Sequence, residues 1–204
     1  MTKDNEKIKK RKGEKSKELL FQSALSLFKT RGFSGVTISD ITRKAGMAKG
    51  NFYTYYSTKS DIIVEEFWRI DSYYREISSK ILTYPTASRQ LLAFTEKQME
   101  YVQNTITCDL LKVLYANQVL QEGSGKVIVD KGRFWHTFIV HVIAEGQRTK
   151  EFHDDIDAET LATYFNRAIR GILLDWNIHS GDFDLVETSL HYCNQFIIRS
   201  LLLK

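Results

Sequence analysis

Residues 45–59, with the sequence AGMAKGNFYTYYSTK, concentrate side chains that bind polyanions rather than side chains that perform catalysis. The stretch holds four aromatic rings, two glycines and two lysines, and it contains no acidic residue, histidine or cysteine. Lysine ammonium groups attract phosphates, and a tyrosine hydroxyl can donate to a phosphate while its ring packs against a sugar or a thymine methyl group. These residue types therefore favour recognition of a nucleic acid.

The rest of the sequence has no pattern typical of an enzyme or a metal site. Cys108 and Cys193 are far apart and match no metal or redox spacing, so we interpret them as buried thiols. His136 and His141 are five residues apart, unlike the i, i+4 pair of a helical metal site. The GSGK segment at 123–126 lacks the upstream glycine and the Ser or Thr of a phosphate-binding loop. We therefore expect no catalytic residue, no metal and no cofactor.

Charge is distributed unevenly along the 204 residues. Residues 1–60 contain 14 Lys and Arg against five Asp and Glu, a net charge of +9, whereas residues 61–204 have a net charge of −5. This asymmetry indicates a nucleic-acid-binding N-terminal part joined to a part with another task. No run of about 18 apolar residues occurs, and the basic N-terminus lacks the apolar stretch of a secretory signal. We expect a cytoplasmic protein with no membrane partner.

An all-α fold of about nine helices has to position these residues. The 11 glycines and the single proline, Pro85, favour long helices, and strand-like alternation is scarce. We expect a disordered basic arm over 1–13. Helices are predicted over about 14–31, 38–45 and 48–56, then from about 58 to the Tyr84-Pro85 break, and over about 87–104, 108–121, 125–149, 157–179 and 183–202.

Start and stop signals support several of these helices. Gly32 lies where a left-handed glycine commonly ends a helix, and Gly46 ends the next one. Thr37 and Asp40 have the spacing of a capping box, in which each side chain bonds an end amide of the new helix. Asp157 is a favourable N-cap for the helix that follows it.

Two short helices joined at Gly46, the second rich in Lys, Asn and Tyr, fit a helix-turn-helix. Phe52 and Tyr56 lie one turn apart and should face the small core. At about 100° per residue, the outer face then carries Gly50, Asn51 and Thr54, flanked by Lys49, Tyr53 and Tyr55. Gly50 would let the helix backbone approach a groove. Asn51 suits either a base edge, with adenine the favoured partner, or a phosphate. Thr37 and Lys59 lie at helix starts, where free amides favour an anion.

The sequence TISDITRKAGMAKGNFYTYYSTKSDII resembles the DNA-binding domain of the TetR family of bacterial transcriptional repressors, and the likeness covers about residues 14–65. The resemblance implies a helix-turn-helix domain over 14–60 and a helical ligand-binding and dimerisation domain over 61–204. DNA contacts are expected from Thr37, Lys49, Gly50, Asn51, Tyr53, Tyr55 and Lys59, and from Thr54 on the outward face. Ala48 departs from the family, which often has a capping Ser or Thr there; this loss costs roughly 1 kcal/mol.

The resemblance also implies a homodimer, formed as a four-helix bundle by the last two long helices of each copy. Two apolar faces on these helices agree with it, since a chain of this size would have difficulty covering both. We predict that the interface contains Leu161, Phe165, Ile169, Ile172, Leu173, Leu190, Phe196, Ile197 and Leu201. A dimer would present two recognition helices to successive major grooves of an operator with two-fold symmetry.

An inducer pocket is expected among the middle helices. The candidate contacts with an unknown small molecule are Phe94, Met99, Tyr101, Tyr115, Trp135, Phe138, His141, Tyr164 and Trp176. An aromatic stripe at helical spacing is more often core than pocket, so each of these residues has a structural alternative.

The leading hypothesis is a homodimeric repressor that binds palindromic operator DNA and is released when a small molecule binds the C-terminal domain. One alternative is a DNA-binding activator or architectural protein without such a ligand. Another is an enzyme with a basic appendage, which no nucleophile–base pair in the sequence supports.

Overall fold

The computed structural model describes residues 3–120 and 126–203, without the side chains of residues 3–6 and 8–10. Most of the GSGK segment therefore lies outside the described residues. Within the described ranges the chain forms helices and connecting turns, with one isolated antiparallel bridge between Phe152 and Leu202. The predicted all-α fold is confirmed. None of the helices described is long and apolar enough to cross a membrane.

The chain divides into two compact units, the first ending at Glu66 and the second beginning at Phe67. We call them the head and the body. The division falls a little later than the expected boundary at residue 60. Helix α4, Ser60–Ile81, contributes residues to both units. The other head helices are α1, Lys3–Arg31, α2, Ile38–Lys44, and α3, Lys49–Tyr53.

Two head helices differ from prediction at their ends. The first begins at Lys3, so the structure continues α1 through the described residues of the expected disordered arm. Lys, Arg and Glu dominate that segment and all have high helix propensity. Helix α3 ends at Tyr53 instead of reaching residue 56. The following amides of Ser57 and Thr58 donate to the Asp61 carboxylate at 2.8 and 2.9 Å, which turns the chain into α4.

Helix ends in the head follow the predicted signals. Gly32 and Gly46 have φ angles of 69° and 67°, the left-handed conformation that favours glycine after a helix. Thr37 and Asp40 form a complete capping box at the start of α2. The core of the head contains apolar side chains from all four helices, with Leu20, Phe21, Ile41, Phe52 and Ile62 almost fully buried.

The body follows the predicted order of helices. After α4 come α5, Ala87–Tyr101, a π-helical segment, Val102–Ile106, and α6, Thr107–Leu120. A 3₁₀ turn, Val127–Val129, precedes α7, Phe134–Arg148, and α8, Ala158–Ile178. The last helix is α9, Leu185–Tyr192, continued by a π-helical segment, Cys193–Ile198, and by α10, Arg199–Leu201.

The predicted breaks around α8 are confirmed. Asp157 accepts a hydrogen bond from the Thr160 amide as the N-cap, and Gly181 ends the helix region with φ of 81°. The prediction of a helix from residue 125 is wrong in its start, because α7 begins only at Phe134. Asp130 accepts a hydrogen bond from the Gly132 amide at 2.8 Å, forming a local turn that competes with helix.

The segment after α7 shows why Gly146 is a glycine. A Cβ atom at this position would collide with the ring of Phe152, which is completely buried. The neighbouring Glu151 carboxylate accepts hydrogen bonds from the Ala87 and Ser88 amides at 2.7 and 2.9 Å, satisfying the first turn of α5. The turn after α7 therefore packs directly on two helices of the body.

Candidate nucleic-acid interface and body cavity

Helix α3 separates its inner and outer residues as the periodicity predicts. Phe52 is fully buried and Tyr56, just beyond the helix, is 4% exposed. The outer positions Lys49, Gly50, Asn51 and Thr54 are exposed, and Tyr53 is 54% exposed. A Cβ atom added at Gly50 would meet no atom within 4 Å, so the fold itself does not require glycine there. The outer face is open to a partner.

Thr37 is the N-cap of α2. Its hydroxyl donates to the Asp40 carboxylate at 2.7 Å and accepts from the Asp40 amide at 3.1 Å. The hydrogen bond from the Thr37 hydroxyl, with a second one from the Thr37 amide, lowers the pKa of Asp40 below its ordinary value of 3.8. Thr37 is also exposed, at the end of the helix where amides favour an anion. Its placement fits the predicted DNA contact.

The expected missing cap of the recognition helix is confirmed. Ala48 occupies the N-cap position of α3 and makes no side-chain hydrogen bond to the helix. The helix is only five residues long, so each unsatisfied end amide is a large share of its hydrogen bonding. Its position therefore depends on Phe52 and on the residues that follow.

Lys59 has a role in the free protein that the sequence did not reveal. Its ammonium group donates to the carbonyl oxygens of Phe33 and Val36 at 2.7 and 2.8 Å, and it lies 4.1 Å from the centre of the Phe33 ring. The side chain thus holds the turn between α1 and α2 while its backbone leads into α4. A direct phosphate contact by this ammonium group would have to compete with these bonds.

A second brace positions the end of α3. The Tyr56 hydroxyl donates to the Glu65 carboxylate at 3.0 Å, and Lys17 pairs with the same carboxylate at 2.7 Å. Tyr55 is half-buried, and its hydroxyl would lie 3.7 Å from a Cβ atom at Gly13 of α1. The bonds of Glu65 with Tyr56 and Lys17 link α1 and α4 to the segment that follows α3.

The body contains a cavity of about 40 Å³. Most of the wall is apolar, formed by Phe67, Ile70, Val102, Leu111, Leu114, Ile128, Ile169 and Leu173. The polar or partly polar wall residues are Tyr74, Gln98, Tyr115, Arg133, Trp135 and Arg170. Burial raises the pKa of both phenols, Tyr74 and Tyr115, so they remain neutral donors at ordinary pH.

One wall residue, Arg133, forms a buried ion pair. Its guanidinium donates to the Asp71 carboxylate at 2.8 and 3.1 Å, to the Val127 carbonyl oxygen at 3.3 Å and to the Phe67 carbonyl oxygen. The Asp71 carboxylate also accepts from the Phe134 amide at 3.3 Å. The side chains are only 3% and 9% exposed. This pair fastens α4 to the start of α7 beside the cavity.

Comparison with known proteins identifies the family of the helix-turn-helix segment. The family model described as "Bacterial regulatory proteins, tetR family" matches residues 20–65, the segment that contains α2 and α3. Residues 20–65 therefore form a DNA-binding domain of the TetR family. Proteins of this family are DNA-binding transcription factors rather than enzymes, so this chain is a transcriptional regulator with a helix-turn-helix domain.

The chain is also similar to bacterial regulators over most of its length. The chain is 27% identical over 163 residues to YdgC, an uncharacterized HTH-type transcriptional regulator of Bacillus subtilis, covering 75% of this chain and 76% of the relative. It is 24% identical over 182 residues to the probable acrEF/envCD operon repressor of Escherichia coli, covering 85% and 81%. The crystal structure of Thermus thermophilus FadR, a TetR-family repressor in complex with lauroyl-CoA, shares the fold, with a TM-score of 0.74 at 18% identity, over 92% of this chain and 96% of that one.

In this TetR-family chain, the cavity includes two of the nine predicted ligand contacts, Tyr115 and Trp135. Most of the others are held elsewhere in the body. Phe94 and Phe138 pack on each other with ring centroids 4.7 Å apart, and Met99 is fully buried outside the cavity wall. Tyr101 packs beside Tyr73 at 4.9 Å, and Trp176 donates to the Phe183 carbonyl oxygen at 3.0 Å.

His141 and Tyr164 are exposed, so they also lie off the cavity wall. The ligand contacts were predicted from aromatic residue type, and aromatic residues occur in the core and on the surface as well as in the cavity wall. The polar wall residues Gln98, Arg133 and Arg170 were missed because a lone polar residue on a helix gives no periodic signal.

The predicted dimer face needs a correction. Leu161, Phe165, Ile169, Leu173, Ile197 and Leu201 are all at most 7% exposed and belong to the core of the body. Ile172 and Leu190 are half-buried, and of the predicted set only Phe196 is strongly exposed, at 66%. The exposed apolar side chains of these helices are instead Tyr164, Leu174, Ile178, Tyr192 and Phe196. Helical periodicity identified the apolar face of these helices that packs against the rest of the body, not the face that stays exposed.

Proposed function

We propose that this TetR-family regulator is a homodimeric repressor in the cytoplasm, which binds a two-fold symmetric operator through α3 and is released by a small molecule. The observation that carries the proposal is the outer face of α3. Lys49, Gly50, Asn51 and Thr54 are exposed while the single buried residue of the helix, Phe52, anchors it. Such a helix can enter a major groove without disturbing the core.

The proposed DNA contacts are of two kinds, those that position the protein on the phosphate backbone and those that recognise bases. Lys49, Tyr53 and Tyr55 contact phosphates, with Thr37 and the Lys59 backbone at the two flanking helix starts. These contacts are independent of sequence and depend on salt. Asn51 reads a base edge through its amide. Gly50 lets the backbone approach the groove wall, because a side chain there would point into the DNA.

Dimerisation is proposed to use the exposed face of α8 and of α9 with its continuation. Tyr192 and Phe196 stack with ring centroids 5.4 Å apart, and Phe196 and Ile178 are 66% and 70% exposed. Together with Leu174 they present apolar area that water does not favour. A Phe196→Glu substitution is expected to convert the dimer into monomers, as measured by analytical ultracentrifugation, whereas Gln195→Glu, on the same helix, should not.

Ligand release requires that the small molecule bind one shape of the body better than another. A coupling of about 1–3 kcal/mol would change operator affinity by about 5–150-fold. The cavity supports a ligand-binding body, and Thermus thermophilus FadR, which shares the fold, is bound to lauroyl-CoA. A DNA-binding activator or architectural protein would bind the same site without any compound-dependent loss of affinity.

The decisive experiment is a selection of binding sites from random DNA, followed by titrations of the recovered operator. Asn51→Ala should relax the preference at one position of each half-site. Lys49→Ala and Tyr53→Phe should weaken binding to all sequences, and Lys49→Ala should reduce the salt dependence, with Lys29→Ala, exposed on α1, as the control. Full operator affinity in a Lys49→Ala/Tyr55→Ala double variant would contradict the proposed surface.

A further inference from the structure

The body cavity combines an apolar wall with several polar side chains, of which Arg133 and Tyr115 are bonded within the protein. Arg133 is neutralised by Asp71 and fixed by two carbonyl oxygens. Tyr115 donates to the Arg170 carbonyl oxygen at 3.2 Å. Arg133 and Tyr115 therefore have partners within the protein.

Arg170 on the same wall is different. It is half-buried, and its guanidinium makes one long hydrogen bond, 3.4 Å from Nη1 to the Ile128 carbonyl oxygen. No carboxylate among the described residues pairs with it, and the charged neighbour that acts on it is another cation, Arg167. Burial is the main cause that lowers the pKa of Arg170. A guanidinium has five N–H donors, so most of its donors remain for another partner.

Trp135 supplies a second, independent observation. The residue is 7% exposed, and its indole Nε1–H has no acceptor within residues 3–120 and 126–203. A buried N–H donor without a partner is unfavourable and uncommon in folded proteins. Trp135 and Arg170 both line the cavity, and both offer donors. Of the described polar atoms that are buried without a partner, no acceptor belongs to a wall residue.

We infer that the cavity binds an amphipathic monocarboxylate, with its hydrocarbon chain against the apolar wall and its carboxylate paired with Arg170, while Trp135 supplies a further donor. The inference rests on the proposed function, whose unidentified small molecule it assigns to a chemical class. An acceptor-bearing anion complements unsatisfied donors, whereas an amine would add a third cation beside Arg170 and Arg167.

The size of the cavity adds a consequence. A volume of about 40 Å³ holds little more than water, so a hydrocarbon chain has to move the wall outwards. Phe67 and Ile70 of α4 form part of that wall, and Asp71 beside them is tied to Arg133. Binding would therefore change the shape of the body at α4, which is the kind of differential state that ligand-driven release needs.

The test compares three compounds of equal chain length, decanoate, 1-decanol and decylamine, below their micelle-forming concentrations, on the full-length protein. Isothermal titration calorimetry gives the dissociation constants, and thermal shift checks that binding stabilises the protein. Decanoate is expected to bind at least about 10-fold more tightly than 1-decanol, with decylamine weakest. Equal or tighter binding of 1-decanol or decylamine, or binding of none of the three, overturns the inference.

Variants of the wall residues then test whether Arg170 pairs with the carboxylate. Arg170→Gln should lower decanoate affinity about 10-fold and leave 1-decanol unchanged, whereas Arg170→Lys, which keeps the charge, should retain a preference for decanoate. Trp135→Phe, which keeps a ring without the N–H, should cause a smaller loss. The matched control is Arg89→Gln, at an exposed position of α5 that is not part of the cavity wall. Wild-type decanoate affinity in folded Arg170→Gln overturns the inference.

Operator titrations separate this inference from the proposed function. If decanoate binds through Arg170 but operator affinity is the same at saturating decanoate, the inference stands and ligand release fails. If a neutral or cationic compound releases the operator while decanoate does not bind, the proposed function stands and the inference falls.

Discussion

The head and the body use their charged side chains in opposite ways. In the head, Lys59 and Lys17 bond to groups of the head itself and brace the helices, and the outer face of α3 stays exposed. In the body, Arg133 and Arg170 turn inward to the wall of a cavity. The outer face of α3 in the head is proposed to meet DNA, and the cavity of the body is proposed to bind a small molecule. The contrast between the two can be tested, from the largest expected effect to the smallest.

The buried ion pair of the body should be the most sensitive point. Arg133→Met leaves the Asp71 charge uncompensated in the interior, so we expect a loss of about 3–5 kcal/mol in the free energy of unfolding. Urea denaturation followed by tryptophan fluorescence measures the body, because Trp68, Trp135 and Trp176 all lie there.

Two controls sharpen this prediction. Arg148→Met breaks the exposed pair with Glu145 and should leave stability close to that of the wild type. Arg133→Met combined with Asp71→Leu should recover most of the loss, because an apolar pair replaces a charged one. A single Arg133→Met variant as stable as Arg148→Met would show that the buried pair does not hold the body together.

Lys59→Met tests whether the head relies on charge for its frame. The Phe33 and Val36 carbonyl oxygens would lose a charged donor, so the head should lose about 2 kcal/mol of stability. Native-state hydrogen exchange of amides in residues 20–65 measures this. Lys29→Met, at an exposed position of α1, should change little. Equal amide protection in Lys59→Met and Lys29→Met would show that Lys59 does not stabilise the head, and a phosphate contact would be its only proposed role.

Ala48→Ser restores a side-chain cap to α3 and should stabilise this helix by about 1 kcal/mol. Slower hydrogen exchange at the Asn51 amide is the expected readout, because an N-cap oxygen accepts from an amide two or three residues further on. Ala116→Ser, at an exposed position within α6, adds the same hydroxyl without a free end amide and should give no gain. An Asn51 amide that exchanges at the wild-type rate in Ala48→Ser would show that the new hydroxyl does not cap α3.

The smallest effect concerns acid. The pKa of Asp40 is lower in the folded head than its ordinary value, so this carboxylate stabilises the head above about pH 4 and loses that contribution as the pH falls through the folded pKa. Thr37→Val removes the hydroxyl that is the first cause of the shift. The Asp40 pKa, followed by NMR, should rise towards 3.8.

Thr30→Val provides the comparison for that titration, since the Thr30 hydroxyl bonds only to helix carbonyl oxygens and to no acid. An Asp40 pKa that is unchanged in Thr37→Val would mean that the backbone amide alone holds the carboxylate.

Local patterns along the sequence predicted the head well. Gly32, the Thr37–Asp40 box and the uncapped Ala48 depend on neighbours within a few residues, and all three were confirmed. The inward side of α3 followed from helical periodicity alone, because Phe52 and Tyr56 are one turn apart. The role of Lys59 was missed, since its carbonyl partners lie more than 20 residues earlier in the chain.

The sequence by itself determined the fold class and the exposed face that is proposed to meet DNA, because these depend on periodicity, caps and charge within short segments. The likeness to the TetR family rests on the motifs of residues 14–65. Only the tertiary structure decided which apolar stripe of α8 is core, which aromatic residues line the cavity, and which of two arginines there lacks an anionic partner. The physical reason is burial. Whether a side chain is covered, and by which polar group, depends on helices that are far apart in the sequence and meet only in the folded body.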